Sequence, residues 1–144
     1  MSKRTWTVSP ESYGFLGYFT FHFCHTSAVP LVFNLAVLSS LGKYIYKVKG
    51  HRSFVSLLAM GCAGASLAVA TDISHNRNQV QAGGLGASAA MLAYGGFATP
   101  QYFALFRYMP LTYMGAALAY GVYFDDKAVV GGLAAGYAAF MLAL

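Results

Sequence analysis

The chain has 144 residues, of which 58% are hydrophobic and 9% charged, and its formal net charge is +5. An average soluble domain has about 25% charged residues, so nine basic and four acidic side chains are too few to cover a water-soluble surface of this size. The composition excludes a disordered chain and an ordinary cytosolic enzyme, and the absence of a basic helix face excludes a nucleic-acid-binding protein. It predicts an all-α polytopic membrane protein.

The N-terminal part, residues 1–25, is predicted to form an interfacial segment ahead of a helical core of residues 26–144. Ser9-Pro10-Glu11 has the composition of a helix start, with a capping side chain, a first-turn proline and an acid at the positive end of the helix dipole. The following residues are rich in Tyr and Phe, which concentrate where membrane meets water. We therefore expect this segment to lie in the interface or to be partly submerged.

Five apolar stretches of 16 to 20 residues follow, and we interpret them as short membrane-spanning helices, since a span needs ~20 residues. Pro30 lies in the first turns of the first stretch, where proline is tolerated. The connectors are a basic loop, a polar loop, an aromatic connector that contains Arg107, and an acidic turn. The predicted spans are residues 26–45, 53–71, 83–98, 109–124 and 128–144.

The basic residues divide unevenly between the two sides of these predicted spans. Lys43, Lys47, Lys49 and Arg52 lie in the short loop after the first span, and Arg107 lies in a connector on the same side. Because short loops rich in Lys and Arg stay on the cytoplasmic or matrix side, this side is expected to face that compartment. Lys43, Lys47, Arg52 and Arg107 are the candidates for binding phospholipid headgroups, including cardiolipin.

The predicted spans contain many small residues at four-residue spacing, which let helix backbones approach closely in lipid. This spacing favours a tightly packed helical bundle. The pairs are Gly84 with Ser88, Gly115 with Ala119, and Gly132 with Gly136.

Two histidines form the one pair that could hold a cofactor. His22 and His25 are spaced i, i+3 and would share a helix face. One hypothesis is haem or metal ligation, as in the small membrane anchors of succinate dehydrogenase. The other is that each ring bonds water or backbone at the interface, and on that reading we expect no cofactor. Cys24 and Cys62 lie in apolar runs and give no disulfide framework.

Three segments, taken in order, resemble the core helices of rhomboid proteases. The first has a histidine followed by Leu-x-x-Asn and a glycine eight residues later, and the second is similar to the rhomboid Gly-x-Ser-Gly helix. The third is similar to the rhomboid His-x-Gly-Gly-x-x-x-Gly helix, with valine in place of the histidine. The matching positions are His25, Leu31, Asn34, Leu35, Gly42, Gly86, Ser88, Gly131, Gly132 and Gly136, and the chain departs from the pattern at Val129 and at Ala89, which follows Ser88 where the family has glycine.

The resemblance implies a rhomboid-like core that is catalytically inactive. Ser88 occupies the nucleophile position, but Val129 occupies the position of the general base, and a serine hydroxyl is a poor nucleophile without one. Pro30 replaces the oxyanion histidine, while Asn34 remains at the oxyanion asparagine position. Loss of one oxyanion donor costs about 10²–10³ in rate. Ser88 is therefore expected to serve close packing, and Asn34 an interhelical hydrogen bond.

An inactive rhomboid-like protein is expected to act by binding other membrane proteins. The first hypothesis is a structural or accessory subunit of a large complex, such as a mitochondrial inner-membrane respiratory or ATP synthase assembly. The alternatives are a derlin- or translocase-like protein of the endoplasmic reticulum that binds transmembrane clients, and a haem-binding anchor subunit. The expected partners are other membrane subunits, contacted through Gly/Ala-rich helix faces, and phospholipids.

Overall fold

The described part of the chain is helical except at His25, Asp126 and the turn residue Leu142, and it contains no strand, which confirms the all-α prediction for these residues. The computed structural model describes residues 18, 20–23, 25, 28–75, 85–98, 115, 117–119, 122 and 126–142. A 3-10 turn, Phe21–Phe23, precedes helix α1, Ala28–Val37, and a π-helical turn, Leu38–Gly42. Helices α2, Lys43–His75, α3, Leu85–Ala98, and α4, Lys127–Met141, follow.

The chain folds back on itself at Gly50, within α2. This residue has φ +86° and ψ 174°, a non-helical conformation that glycine adopts without steric cost. A straight helix would separate residues 42 and 54 by about 18 Å. A Cβ atom added to Gly42 would instead lie 3.2 Å from the Phe54 ring, and the Tyr46 and Phe54 ring centroids are 6.0 Å apart. The chain therefore forms a hairpin. Its first arm consists of α1, the π-helical turn and the part of α2 before Gly50, and its second arm is the part of α2 after Gly50.

At the π-helical turn, two serine side chains donate hydrogen bonds to one backbone carbonyl. Ser39 and Ser40 both donate from Oγ to the carbonyl of Ala36, at 3.2 and 2.5 Å. Their side chains are exposed, whereas Leu41 and Gly42 are buried. The exposed face of this turn therefore presents hydroxyl groups whose hydrogen atoms are already bonded within the helix.

Helices α2, α3 and α4 pack backbone to backbone through glycine. A Cβ atom added to Gly132 would lie 2.7 Å from the Cα of Gly86, and one added to Gly136 would lie 2.8 Å from the Cα of Ala90. One added to Gly64 would meet the backbone of α4 in the same way. Real Cβ atoms do not approach other atoms within 3.0 Å, so glycine is required where these helices cross.

The three small-residue pairs have different surroundings. Gly132 and Gly136 form the contact of α4 with α3, as the spacing predicted. Ser88 is buried, and its partner Gly84 lies outside the described residues. A Cβ atom added to Gly115 would meet nothing within 4 Å, and Ala119 is exposed. Among the described residues, this third pair therefore does not pack against another helix.

One helix, Pro30–Thr71, is long and apolar enough to cross a membrane by length and composition. The predicted five spans are not supported, because α3 and α4 have only 14 and 15 residues. The stretches 83–98 and 128–144 are rich in Ala and Gly, and apolar composition alone does not set how many residues a helix contains. Residues 26–45 and 53–71, predicted as two spans, overlap the two arms of this segment on either side of Gly50, and most of 109–124 lies outside the described residues.

The last helix begins where the acidic turn was expected. The Asp126 carboxylate accepts hydrogen bonds from the backbone N–H groups of Ala128 and Val129, at 3.1 and 3.4 Å. This N-cap satisfies two of the donors that every helix start leaves without an intrahelical partner. Burial raises the Asp126 pKa above its ordinary value, and the two N–H bonds oppose that shift. The cap fixes the start of α4 and therefore the height of its glycines against α3.

Candidate functional site

A chain of hydrogen bonds joins three polar side chains, His25, Asn34 and Ser88, which we call the polar triad. The Ser88 hydroxyl donates to Oδ1 of Asn34, and Nδ2 of Asn34 donates to Nε2 of His25 at 2.7 Å. Asn34 is 6% exposed and Ser88 1% exposed, and among the described residues they are the buried polar side chains. The triad therefore ties Asn34 of α1 to Ser88 of α3 and to His25, which lies two residues after the 3-10 turn.

The direction of these bonds determines what the triad can do chemically. Because Nε2 of His25 accepts, the proton of a neutral ring lies on Nδ1. The Ser88 proton is held by an amide oxygen, which is not a base, so Asn34 separates the hydroxyl from the imidazole. A serine in this arrangement is not activated for nucleophilic attack. The geometry fits a polar tie between helices, and it does not form a catalytic dyad.

In the rhomboid resemblance, the positions of the general base and of the oxyanion histidine are occupied by residues without a polar side chain, Val129 and Pro30. Val129 is 2% exposed and lies in an apolar cluster with Leu85 and Ala89 of α3. Ala89 is the residue that follows Ser88 in the chain. Pro30 lies in the first turn of α1, one turn before Asn34, and offers neither a side-chain donor nor a backbone N–H. The surroundings of Ser88 on the α4 side are therefore apolar.

A second polar contact anchors the N-terminal segment to α2. Phe21 is fully buried in a cluster with residues of α2 and α4. Ser66 donates from Oγ to the carbonyl of Tyr18 at 3.0 Å, so the contact between Nε2 of His22 and Ser66 Oγ, at 2.9 Å, has the ring as donor. Nδ1 of His22 is then a buried acceptor with no partner among the described residues. Burial lowers the His22 pKa to about 4, and the Cys62 backbone carbonyl opposes that shift.

The structure does not bring the two histidines to a common ligand position. His22 lies in the 3-10 turn and His25 outside a helix, so they do not share a helix face as the spacing predicted. Their Nε2 atoms bond to different partners, Ser66 of α2 and Asn34 of α1. No group of three metal-ligating side chains occurs in the part of the chain that the structure describes. The sequence named Asn34 as a hydrogen-bonding residue but not as the partner of His25, and it did not name Ser66, which is 44 residues from His22 in the chain.

The basic loop forms the exposed end of the hairpin. We call residues 43–52 the basic turn. Lys43, Lys47, Lys49, His51 and Arg52 are all exposed there, around the break at Gly50. Arg107, the fourth predicted headgroup ligand, and Cys24 lie outside the described residues. Cys62 is partly buried and not in a disulfide.

No protein-family model matches the chain, and no curated protein or solved structure is significantly similar to it. The resemblance to rhomboid proteases therefore rests on the positions named above. The geometry adds that two of those positions, Asn34 and Ser88, meet in a buried hydrogen bond although they are 54 residues apart in the chain.

Proposed function

We propose that this chain is a non-catalytic, rhomboid-like integral membrane protein that acts as a structural subunit of a larger membrane complex. The observation that carries the proposal is the distribution of polarity. Asn34 and Ser88 are buried and bonded to each other, whereas large apolar side chains face outwards, among them Val32 at 63% exposed and Leu67 at 68%. A soluble monomer seldom exposes large contiguous apolar surface, and lipid or a neighbouring subunit would cover this one.

The mode of crossing is part of the same proposal. The segments on the two sides of Gly50 are each about 30 Å long, from 1.5 Å per residue, which is close to the thickness of a hydrocarbon core. A membrane hairpin with α3 and α4 packed against it accommodates these lengths. As part of the proposal, this body lies in the mitochondrial inner membrane, in a respiratory or ATP synthase complex.

The absence of catalysis is also proposed, and the polar triad supports it. Ser88 gives its proton to an amide, and the position that resembles the general base is Val129. A body of this kind contributes helix surfaces on which neighbours pack. Gly-mediated contacts inside the bundle keep those surfaces at fixed spacing.

The subunit role is tested by photo-crosslinking in the native membrane, followed by native electrophoresis after mild solubilisation. A photoreactive amino acid at the exposed Val32 or Leu67 is expected to capture one fixed set of partners. The same group at Leu57, which is the same residue type as Leu67 but only 1% exposed, is the matched control and is expected to capture none. A free species of ~15 kDa would refute the subunit role, and a wide spread of captured transmembrane proteins would favour the client-binding alternative.

A further inference from the structure

The basic turn concentrates positive charge with no acidic residue near it in the chain. Residues 12–71 contain no Asp or Glu. The basic turn alone holds four of the nine Lys and Arg residues. The four acidic residues are Glu11, Asp72, Asp125 and Asp126. The turn is therefore a single-sign patch whose field is not cancelled by its neighbours along the hairpin.

The turn is a formed structure whose charged side chains are exposed. The Tyr46 ring packs edge-on against both His51 and Phe54, with centroids 6.0 Å apart in each case, and so fixes the two arms of the turn. A Cβ atom added to Gly50 would meet nothing within 4 Å. Lys43 and Lys47 are one helical turn apart on the first arm, and Arg52 opens the second. The cationic groups are thus held around one open reversal of the backbone.

We propose that the basic turn binds the phosphate groups of anionic phospholipids in the leaflet that it faces. The inference rests on the proposed membrane insertion of the Pro30–Thr71 helix, because the turn then lies at the level of the headgroups. Half-exposed Tyr46 and Val48 lie beside the cations, with polarity suited to the boundary between acyl chains and headgroups. Lys and Arg near an anionic leaflet are attracted to it individually, and here four of them share one turn.

The test is native mass spectrometry of the purified full chain in neutral detergent, with phosphatidylglycerol or phosphatidylcholine added at equal concentration. The wild type is expected to prefer phosphatidylglycerol, and K43Q/K47Q/R52Q is expected to lose about a hundredfold in affinity for it. This corresponds to about fivefold, or about 1 kcal/mol, for each removed charge. Equal binding of the two lipids by the wild type would overturn the proposal.

A variant with the same change in net charge serves as the matched control. K3Q/R4Q/R77Q removes three cations from other parts of the chain and is expected to keep the preference for phosphatidylglycerol within a few-fold. An equal loss in both variants would mean that overall charge, and not the turn, attracts the lipid, and would overturn the proposal. Full competition by inorganic phosphate would also overturn the proposal, since the site would then bind free phosphate. The same holds if an acidic segment of a co-purifying protein occupies the turn.

The two proposals fail in distinguishable ways. Alkaline carbonate extraction of membranes should leave both the wild type and K43Q/K47Q/R52Q in the pellet, because the three substituted side chains are exposed and none of them belongs to a buried cluster. Release of the wild type by carbonate would refute membrane insertion. Retention of the wild type together with no lipid preference would refute headgroup binding alone.

Discussion

Replacing Gly132 with alanine is expected to destabilise the bundle, whereas the same replacement at Gly115 is not. At Gly132 the three atoms nearest to an added Cβ are all backbone atoms of Gly86, and its Cα is 2.7 Å away. Backbone atoms cannot rotate out of the way, so α4 must move away from α3. At Gly115 the added Cβ meets nothing within 4 Å. The two substitutions are chemically identical and differ only in what surrounds them.

The magnitude follows from two opposing effects. Alanine in place of a helical glycine stabilises by about 0.5–1 kcal/mol in both variants, because the unfolded chain loses conformational freedom. Overpacking costs about 1–3 kcal/mol, and the contact with rigid backbone places Gly132 near the upper end. The free energies of unfolding of the two variants should therefore differ by about 3 kcal/mol, which corresponds to roughly 6–12 °C in melting temperature.

The assay is thermal unfolding in mild detergent, followed by circular dichroism for the wild type, G132A and G115A side by side. G115A should melt at or slightly above the temperature of the wild type, and G132A several degrees below. If G132A melted as high as G115A, the close crossing of α3 and α4 would be wrong. The packing of Val129 against Ala89, which depends on that crossing, would then be wrong as well.

Four further outcomes are expected. Replacing Ser88 with alanine removes the donor to Asn34 and should cost about 1–2 kcal/mol; a serine-directed activity probe should leave Ser88 unlabelled, and labelling lost in S88A would contradict the inactive reading. Since the folded pKa of His22 is lowered to about 4 from 6.5, its neutral form stabilises docking of the N-terminal segment above pH 6.5, and that contribution is lost as pH falls towards 4. Labelling of Cys62 by a thiol reagent active in acid should rise over this range and should not change in H22Q. Asp126→Ala should cost about 1 kcal/mol through loss of the helix cap, measured by thermal melting, and Asp126→Asn should cost less. The purified protein should show no Soret absorbance, and a reducible band that disappears in H22Q would revive haem ligation.

The sequence predicted the helical class, the acidic start of α4 and the close contact at Gly132 and Gly136, because each depends on local residue type and spacing. The hairpin differs from the prediction in where its first helical arm ends. A loop was expected over the basic residues, but helix continues to the glycine, since Lys, Tyr and Ile are compatible with helical backbone. Only Gly50, with its positive φ, interrupts it. Charge along the chain marks an interface and does not mark where a helix ends.

The polar contacts were harder to predict because they join distant parts of the chain. Ser88 meets Asn34 across 54 residues, and His22 meets Ser66 across 44. The resemblance to a family named both members of the first pair but not their contact, and no spacing rule could have named the second pair. The π-helical turn at Leu38–Gly42 likewise has no signature in its residues, since two leucines, two serines and a glycine also occur in ordinary α-helices.

The way this bundle is held together also bears on what it can do. Its central crossings bury glycine and alanine, and such small side chains gain little from leaving water. At these crossings stability must come instead from close backbone approach, and the buried bond between Asn34 and Ser88 adds to it; both forces remain when the surroundings are lipid. Helices that cross at backbone contact leave little room for a pocket between them, and many large apolar side chains of the described residues are exposed. This arrangement favours a role in which the outer surface, and not an internal site, makes the functional contacts.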